Sequence, residues 1–294
     1  MRIKKRIPYG QIALHGIFLV LVAMFLIPFL LVVSVSLSDE NVIIRNGYKL
    51  IPEVISLKGY ETVFSDTTQL FNSYRTTIIF TFVHTALSVL VMAMLAYPLS
   101  RKNFKFRGVV SFYLLFTMLF NAGLVPNYML ITQTLKLRDN IWVYIIPGLV
   151  SAWNVFVIRT NYQSLPYELI EAAKLDGASE LRICFNIIIP LAVPVLASMG
   201  FMRFVAKWND WGTAMYYIRD RELYSLQYLL QKILNDISYL KEMADSGLLV
   251  GDEVFPREST LYATALVSAG PVLVIFPIFQ KYFARGLTIG SVKG

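Results

Sequence analysis

The chain has 294 residues, 56% of them hydrophobic and only 16% charged, with a mean hydropathy of +0.57. Ordinary soluble domains are roughly half apolar and about a quarter charged, so this balance excludes that class. The formal net charge of +8 could suggest nucleic-acid binding. Its Lys and Arg cluster beside long apolar runs, however, which reads as membrane topology and leaves no nucleic-acid partner.

Six apolar stretches reach the about 18–20 residues that a helix needs to cross a bilayer. Inside lipid the backbone polar groups must be paired within the segment, so these stretches read as helices. They predict an all-α, multi-pass protein with one transmembrane domain over 1–294. The expected spans are approximately 11–37, 74–100, 108–135, 140–162, 186–217 and 259–283. The opening "MRIKKR" resembles the start of a secretory signal, but such a signal has an apolar region of only about 7–15 residues. An uncleaved first span is expected instead.

With both ends cytoplasmic, the inside segments 1–11, 101–108, 159–188 and 281–294 hold 14 Lys/Arg in 63 residues, against 11 in the 83 outside residues. The clusters "RIKKR" and "RKNFKFR" abut spans, as the positive-inside rule requires. His15 and His84 sit within apolar runs without partners at ligand spacing, and read as polar fill between helices. Cys184 is the only cysteine, so neither an intrachain disulfide nor a thiolate metal site can form. No phosphate-cradling glycine loop and no nucleophile–base arrangement occurs, so no enzyme is expected.

Between the fourth and fifth spans, 165–188 carries "EAAKLDGASE" where a short turn would suffice. Pro166 can precede a helix, Glu168 and Glu171 suit its positive end, and Gly177 can take the positive φ that ends it. Ala172 and Ala173 would keep one face thin enough for another surface to approach. A helix–turn–helix is expected, suited to a protein groove better than to an anionic leaflet.

The fifth span offers "FMRFVAKWNDW". Arg203 and Lys207 fall four apart, with Phe204 and Trp208 in an aromatic stripe. Charges within a span usually face a cavity or a partner. These four residues are therefore candidates for a substrate pathway, with aromatic faces for sugar rings and Arg203 for a carboxylate. Pairing of Lys207 with Asp210, and Trp residues in an interfacial belt, remain open as the plainer reading. Further on, "LYSLQYLLQKILNDISYL" places Leu226, Leu229, Leu230, Ile233, Leu234 and Ile237 at helical spacing.

The run Glu171-Ala172-Ala173, then Gly177, then Ile187-Ile188-Ile189-Pro190, resembles the EAA motif of binding-protein-dependent ABC importer permeases, with Ile189 in place of Leu. "LPYELIEAAKLDGAS" and the ending "GLTIGSVKG" are similar to the sugar-permease branch. The resemblance implies a type I ABC importer permease fold in a bacterial cytoplasmic (inner) membrane, with 165–188 as the coupling helix. Glu171, Ala172, Ala173, Asp176, Gly177 and Ala178 would engage an ATPase subunit, and Gly286, Gly290, Lys293 and Gly294 would form an ATPase-contacting tail.

The implied partners are a second homologous permease, two ATP-binding subunits, an extracytoplasmic solute-binding protein, membrane lipid and an oligosaccharide. ATP and Mg would reside in the partner subunits, with no cofactor on this chain. Within the family the overall look suggests acidic, alginate- or uronide-type sugars. An ATP-independent carrier or channel, and a docking subunit that transports nothing, stand as alternatives.

Overall fold

A computed structural model describes residues 9–246 and 257–289. These residues are predominantly helical, with one isolated bridge between Ser38 and Ile55 and no strand among them. In chain order the helices are α1 Tyr9–Ser36, α2 Glu40–Asn46, α3 Lys58–Val63, α4 Thr67–Ser100 and α5 Arg107–Leu119. Then come α6 Leu124–Met129, which runs into a π turn Leu130–Thr134, α7 Trp142–Ile145 and α8 Ala152–Ser164. The short helices α9 Glu168–Leu175 and α10 Glu180–Ile183 follow, with a π turn Cys184–Ile188 and α11 Ile189–Leu191. The chain ends through α12 Val193–Trp208, α13 Gly212–Tyr217, α14 Leu226–Asp245 and α15 Arg257–Ile289.

Among the described residues three stretches are continuous helix long and apolar enough to cross a membrane: Ala13–Ser36, Thr67–Ser100 and Arg257–Pro277. The other expected spans are not continuous helix. The stretch 108–135 is broken after Leu119 and bends by 116° before Leu124, where Gly123 takes φ +85°. The stretch 140–162 is interrupted between Ile145 and Ala152, around Pro147 and Gly148. The fifth, 186–217, bends by 80° between Leu191 and Val193, near Pro190 and Pro194, and its long helix ends at Trp208. Proline lacks the amide that would continue the ladder, and positive-φ glycine turns the chain out of it. Counting each bent pair as one crossing gives five.

The chain forms two compact units, Met1–Thr67 with Leu230–Gly270, and Thr68–Leu229 with Pro271–Gly294. In the first, Asp39 caps α2, and the buried Glu40 reaches a helix more than two hundred residues away. Its carboxylate accepts hydrogen bonds from the amides of Glu258 and Ser259 at 2.9 and 3.0 Å and from the Ser259 hydroxyl at 2.9 Å. These are groups that the first turn of α15 cannot pair internally. Gly59 packs directly on that turn, where an added Cβ would stand 2.7 Å from the Ser259 carbonyl carbon.

In the second unit α4 supplies polar groups to its neighbours. The Thr77 hydroxyl accepts the Leu226 amide at 2.8 Å, and Gln69 donates to the Arg221 carbonyl at 2.6 Å. Phe80 stacks on Tyr144 with ring centroids 4.2 Å apart, and the Tyr144 hydroxyl donates to the Leu223 carbonyl. Helix α14 runs across the boundary of the two units; of its apolar stripe Leu226, Leu229, Leu230 and Ile237 are buried, while Ile233 and Leu234 are half-buried.

Candidate functional site

Segment 165–188 folds as the expected helix–turn–helix. Helix α9 carries Glu168 and Glu171 in its first turn and Lys174 in its last, a distribution that matches the helix dipole. Gly177 has φ +77°. Its amide donates to the Lys174 carbonyl at 3.0 Å, and the Ala178 amide donates to the Ala173 carbonyl at 2.9 Å. This 5→2 and 6→1 pair is a Schellman turn, which satisfies carbonyls the helix would otherwise leave unpaired. Ser179 opens the next helix, its hydroxyl accepting the Arg182 amide.

The turn divides the six coupling candidates by orientation. Glu171, Ala172, Asp176 and Gly177 are exposed. Ala173 is buried with Ile170, and Ala178 packs against the same core. A Schellman turn characteristically brings apolar groups on its two sides together, which accounts for both alanines. Leu175, 89% exposed, is the residue missed by sequence reasoning. Its position four after Glu171 places it on the same helical face, a signal present in the spacing.

Glu180 anchors the segment from behind. Its carboxylate pairs with Lys174 at 2.6 Å and accepts the Tyr97 hydroxyl at 2.5 Å. Lys174 first, and then Tyr97, hold this carboxyl below the usual carboxylate range.

The pathway candidates lie in a second polar centre. The Arg203 guanidinium donates to His84 Nε2 at 2.9 Å and to the Gly148 carbonyl. Arginine can only donate, so Nε2 is the acceptor and His84 Nδ1 donates to the Ile145 carbonyl at 2.8 Å. The Ser88 hydroxyl donates to the Leu149 carbonyl at 2.6 Å. Three side chains from α4 and α12 thus occupy three carbonyls of the break between α7 and α8. Backbone that leaves the helical ladder away from water requires such pairing.

Lys207 pairs with Asp210 at 2.9 Å, both largely buried, as the plainer reading has it. Phe204 and Trp208 are each 1% exposed and stacked on one another, so they pack the interior and offer no open aromatic face. Of the expected tail, Gly290, Lys293 and Gly294 lie outside the described residues. Gly286 falls within α15.

Residues 11–289 match the family described as binding-protein-dependent transport system inner membrane component. The chain is 32% identical over 282 residues to the polygalacturonan/rhamnogalacturonan transport system permease protein YtcP of Bacillus subtilis (strain 168), covering 96% of this chain and 97% of that protein. Protein LplC of the same organism is 34% identical over 273 residues, covering 92% and 90%. Among solved structures, a bacterial ABC transporter involved in the import of the acidic polysaccharide alginate has a chain of 28% identity and TM-score 0.77, covering 96% of this chain and 100% of that one. With nearly its whole length matched, the chain belongs to the family of binding-protein-dependent transport system inner membrane components.

Proposed function

We propose that this chain is a permease subunit of an ATP-driven importer of oligosaccharides derived from acidic polysaccharides. It would work with a second permease, two ATP-binding subunits and an extracytoplasmic solute-binding protein. Both compact units are read as one permease domain with six spans, the interrupted pair α7 and α8 being the sixth crossing, and with both termini cytoplasmic. ATP and Mg reside in the partner subunits on this reading, and this chain carries no cofactor of its own. The terminal residues from Gly286 onward are read as reaching the ATPase subunits.

The observation that carries the coupling role is the exposed face of α9. It presents a carboxylate, a small residue, a fully protruding leucine and a second carboxylate (Glu171, Ala172, Leu175, Asp176) on a short helix fixed by its turn and by Glu180. An apolar knob ringed by acids fits a basic-rimmed protein groove, and buried apolar anchors carry most interface energy. The acidic-sugar preference is supported by the polygalacturonan and alginate systems to which the chain is similar. Arg203 is the pathway cation of choice on this reading, because Lys207 already has a carboxylate partner.

The test is copurification of the complex with its ATPase subunits, followed by ATPase activity with the binding protein loaded with oligogalacturonate or a neutral oligosaccharide. Stimulation by the acidic ligand, and loss of the ATPase subunits in Glu171→Lys and Leu175→Asp, are expected. Normal copurification and stimulation in both variants would remove the coupling assignment. Stimulation by the neutral ligand alone would remove the acidic-sugar assignment.

A further inference from the structure

A cleft of about 1050 Å³ lies on the inner side of segment 165–188, away from the exposed face of α9. Its walls are the end of α4, the 101–107 loop, the end of α8, and α9 with α10. One part of the lining is cationic, with Arg101, Lys102, Arg107 and Lys174 against the single carboxylate of Glu180. Lys174 is spoken for by Glu180. The Arg101 guanidinium stands over the Tyr97 ring, 4.5 Å from its centroid, while its Nε and Nη2 are buried without a hydrogen-bond acceptor among the described residues. Arg107 opens α5, whose first turn has no acidic residue and no side-chain cap, so cation and helix dipole add at one point. Another part of the lining is apolar: Met94, Leu181 and Phe185 reach the same space, each at least 40% exposed.

We infer that this cleft binds the anionic headgroup of a phospholipid, with Arg101 and Arg107 on the phosphate and Met94, Leu181 and Phe185 against the glycerol and first acyl carbons. Arg101 and Arg107 both line the cleft, and guanidinium groups bind phosphate oxygens through paired, charge-assisted hydrogen bonds. Inorganic phosphate would occupy a small part of the volume and leave the apolar wall wet, whereas a lipid fills both parts. Basic pockets between spans are recognised sites for anionic headgroups. Because Tyr97, Lys174 and Glu180 form both the wall of the cleft and the support of α9, a bound lipid stiffens the segment that faces the ATPase. Placement in the inner leaflet rests on the orientation proposed above.

The assembled transporter, purified in detergent, is mixed with phosphatidylglycerol or phosphatidylcholine, and retained lipid is counted by native mass spectrometry alongside the melting temperature. Preferential retention of phosphatidylglycerol is expected, weakened about fivefold for each cation removed in Arg101→Gln and Arg107→Gln. Arg101→Lys should restore most of it, and Arg138→Gln, in a loop outside the cleft, should leave it unchanged. Equal retention of the two lipids by the native complex would overturn the inference, as would unchanged retention in the double variant or displacement by inorganic phosphate. If the double variant does not assemble, the comparison of lipids on the native complex and on Arg101→Lys decides. Retention is read without transport, so a failed substrate assay and a failed lipid assay are separate results.

Discussion

Helices α1 and α4 are both long enough to cross a membrane, yet they are built for different surroundings. Ala13–Ser36 has a mean hydropathy of 3.0 and its apolar window is 0% buried, whereas Thr67–Ser100 has 2.3 and is 33% buried. The first exposes Phe18, Leu19 and Phe25 along its length. The second buries Ser73, Thr77, Thr81, His84 and Ser88 completely. A helix facing lipid has only to be apolar. One packed among broken helices must also supply hydrogen bonds for backbone that those helices leave unpaired. The difference is between a helix that the rest of the chain leaves open along its length and one that acts as solvent for other segments.

Charge breaks the comparison most sharply. Leu19→Lys, in the middle of α1, should raise the cost of insertion by about 3 kcal/mol on translocon scales. The readout is the fraction of chain resistant to alkaline extraction, with Leu19→Ala expected near wild type. In α4, His84→Leu is more apolar than the native residue and should still destabilise the purified complex by about 1–3 kcal/mol. It strands the Ile145 carbonyl and removes an acceptor from Arg203. Detergent unfolding that left this variant as stable as wild type would erase the distinction between the two helices. Ser88→Ala should cost less, on the order of 0.6 kcal/mol and at most about 1.7, the range for single polar contacts between spans.

The smallest effect is a pH dependence away from both helices. The Asp139 carboxylate accepts the amides of Asp220 and Arg219, each at 2.8 Å, and these bonds hold its carboxyl below its ordinary value. A depressed folded-state value contributes stability above the unfolded pKa, and that contribution is lost as pH falls through the folded value. Asp139 is exposed, so solvent reduces the contribution to a fraction of what a buried group would give. Melting followed from neutral to acid pH should fall slightly less steeply in Asp139→Asn than in wild type. Identical acid slopes would assign those hydrogen bonds no share of stability.

The continuous helices were legible because an unbroken apolar run measures what a lipid-spanning helix needs. The broken spans were not, since hydropathy sums over a window and does not register where the ladder stops. The punctuation was nonetheless present at Gly123 with Pro126, at Pro147 with Gly148, and at Pro190 with Pro194. At the candidate site, the Gly177 turn was readable because only a few residue types take its φ easily. The inward packing of Ala173 was not, because a small side chain serves a close outer contact and a tight core equally well. Arg203 was expected to need a partner, and the structure supplies one in the Gly148 carbonyl and the His84 ring. That pairing was hidden because it joins residues 55 and 119 positions apart.

The Glu40 cap on α15 has a mechanical side. Two carboxylate oxygens held by three donors form a clamp between α2 and the head of the last long helix. Pulling them apart strands buried acceptors, which costs more than shifting both pieces together. Gly59 closes the same joint by contact, because the backbone there leaves no room for even a methyl group. A displacement imposed on α2 or α3 is therefore delivered to the first turn of α15 instead of being dissipated at the joint. The loop region after the first span behaves as a handle on the head of the last long helix.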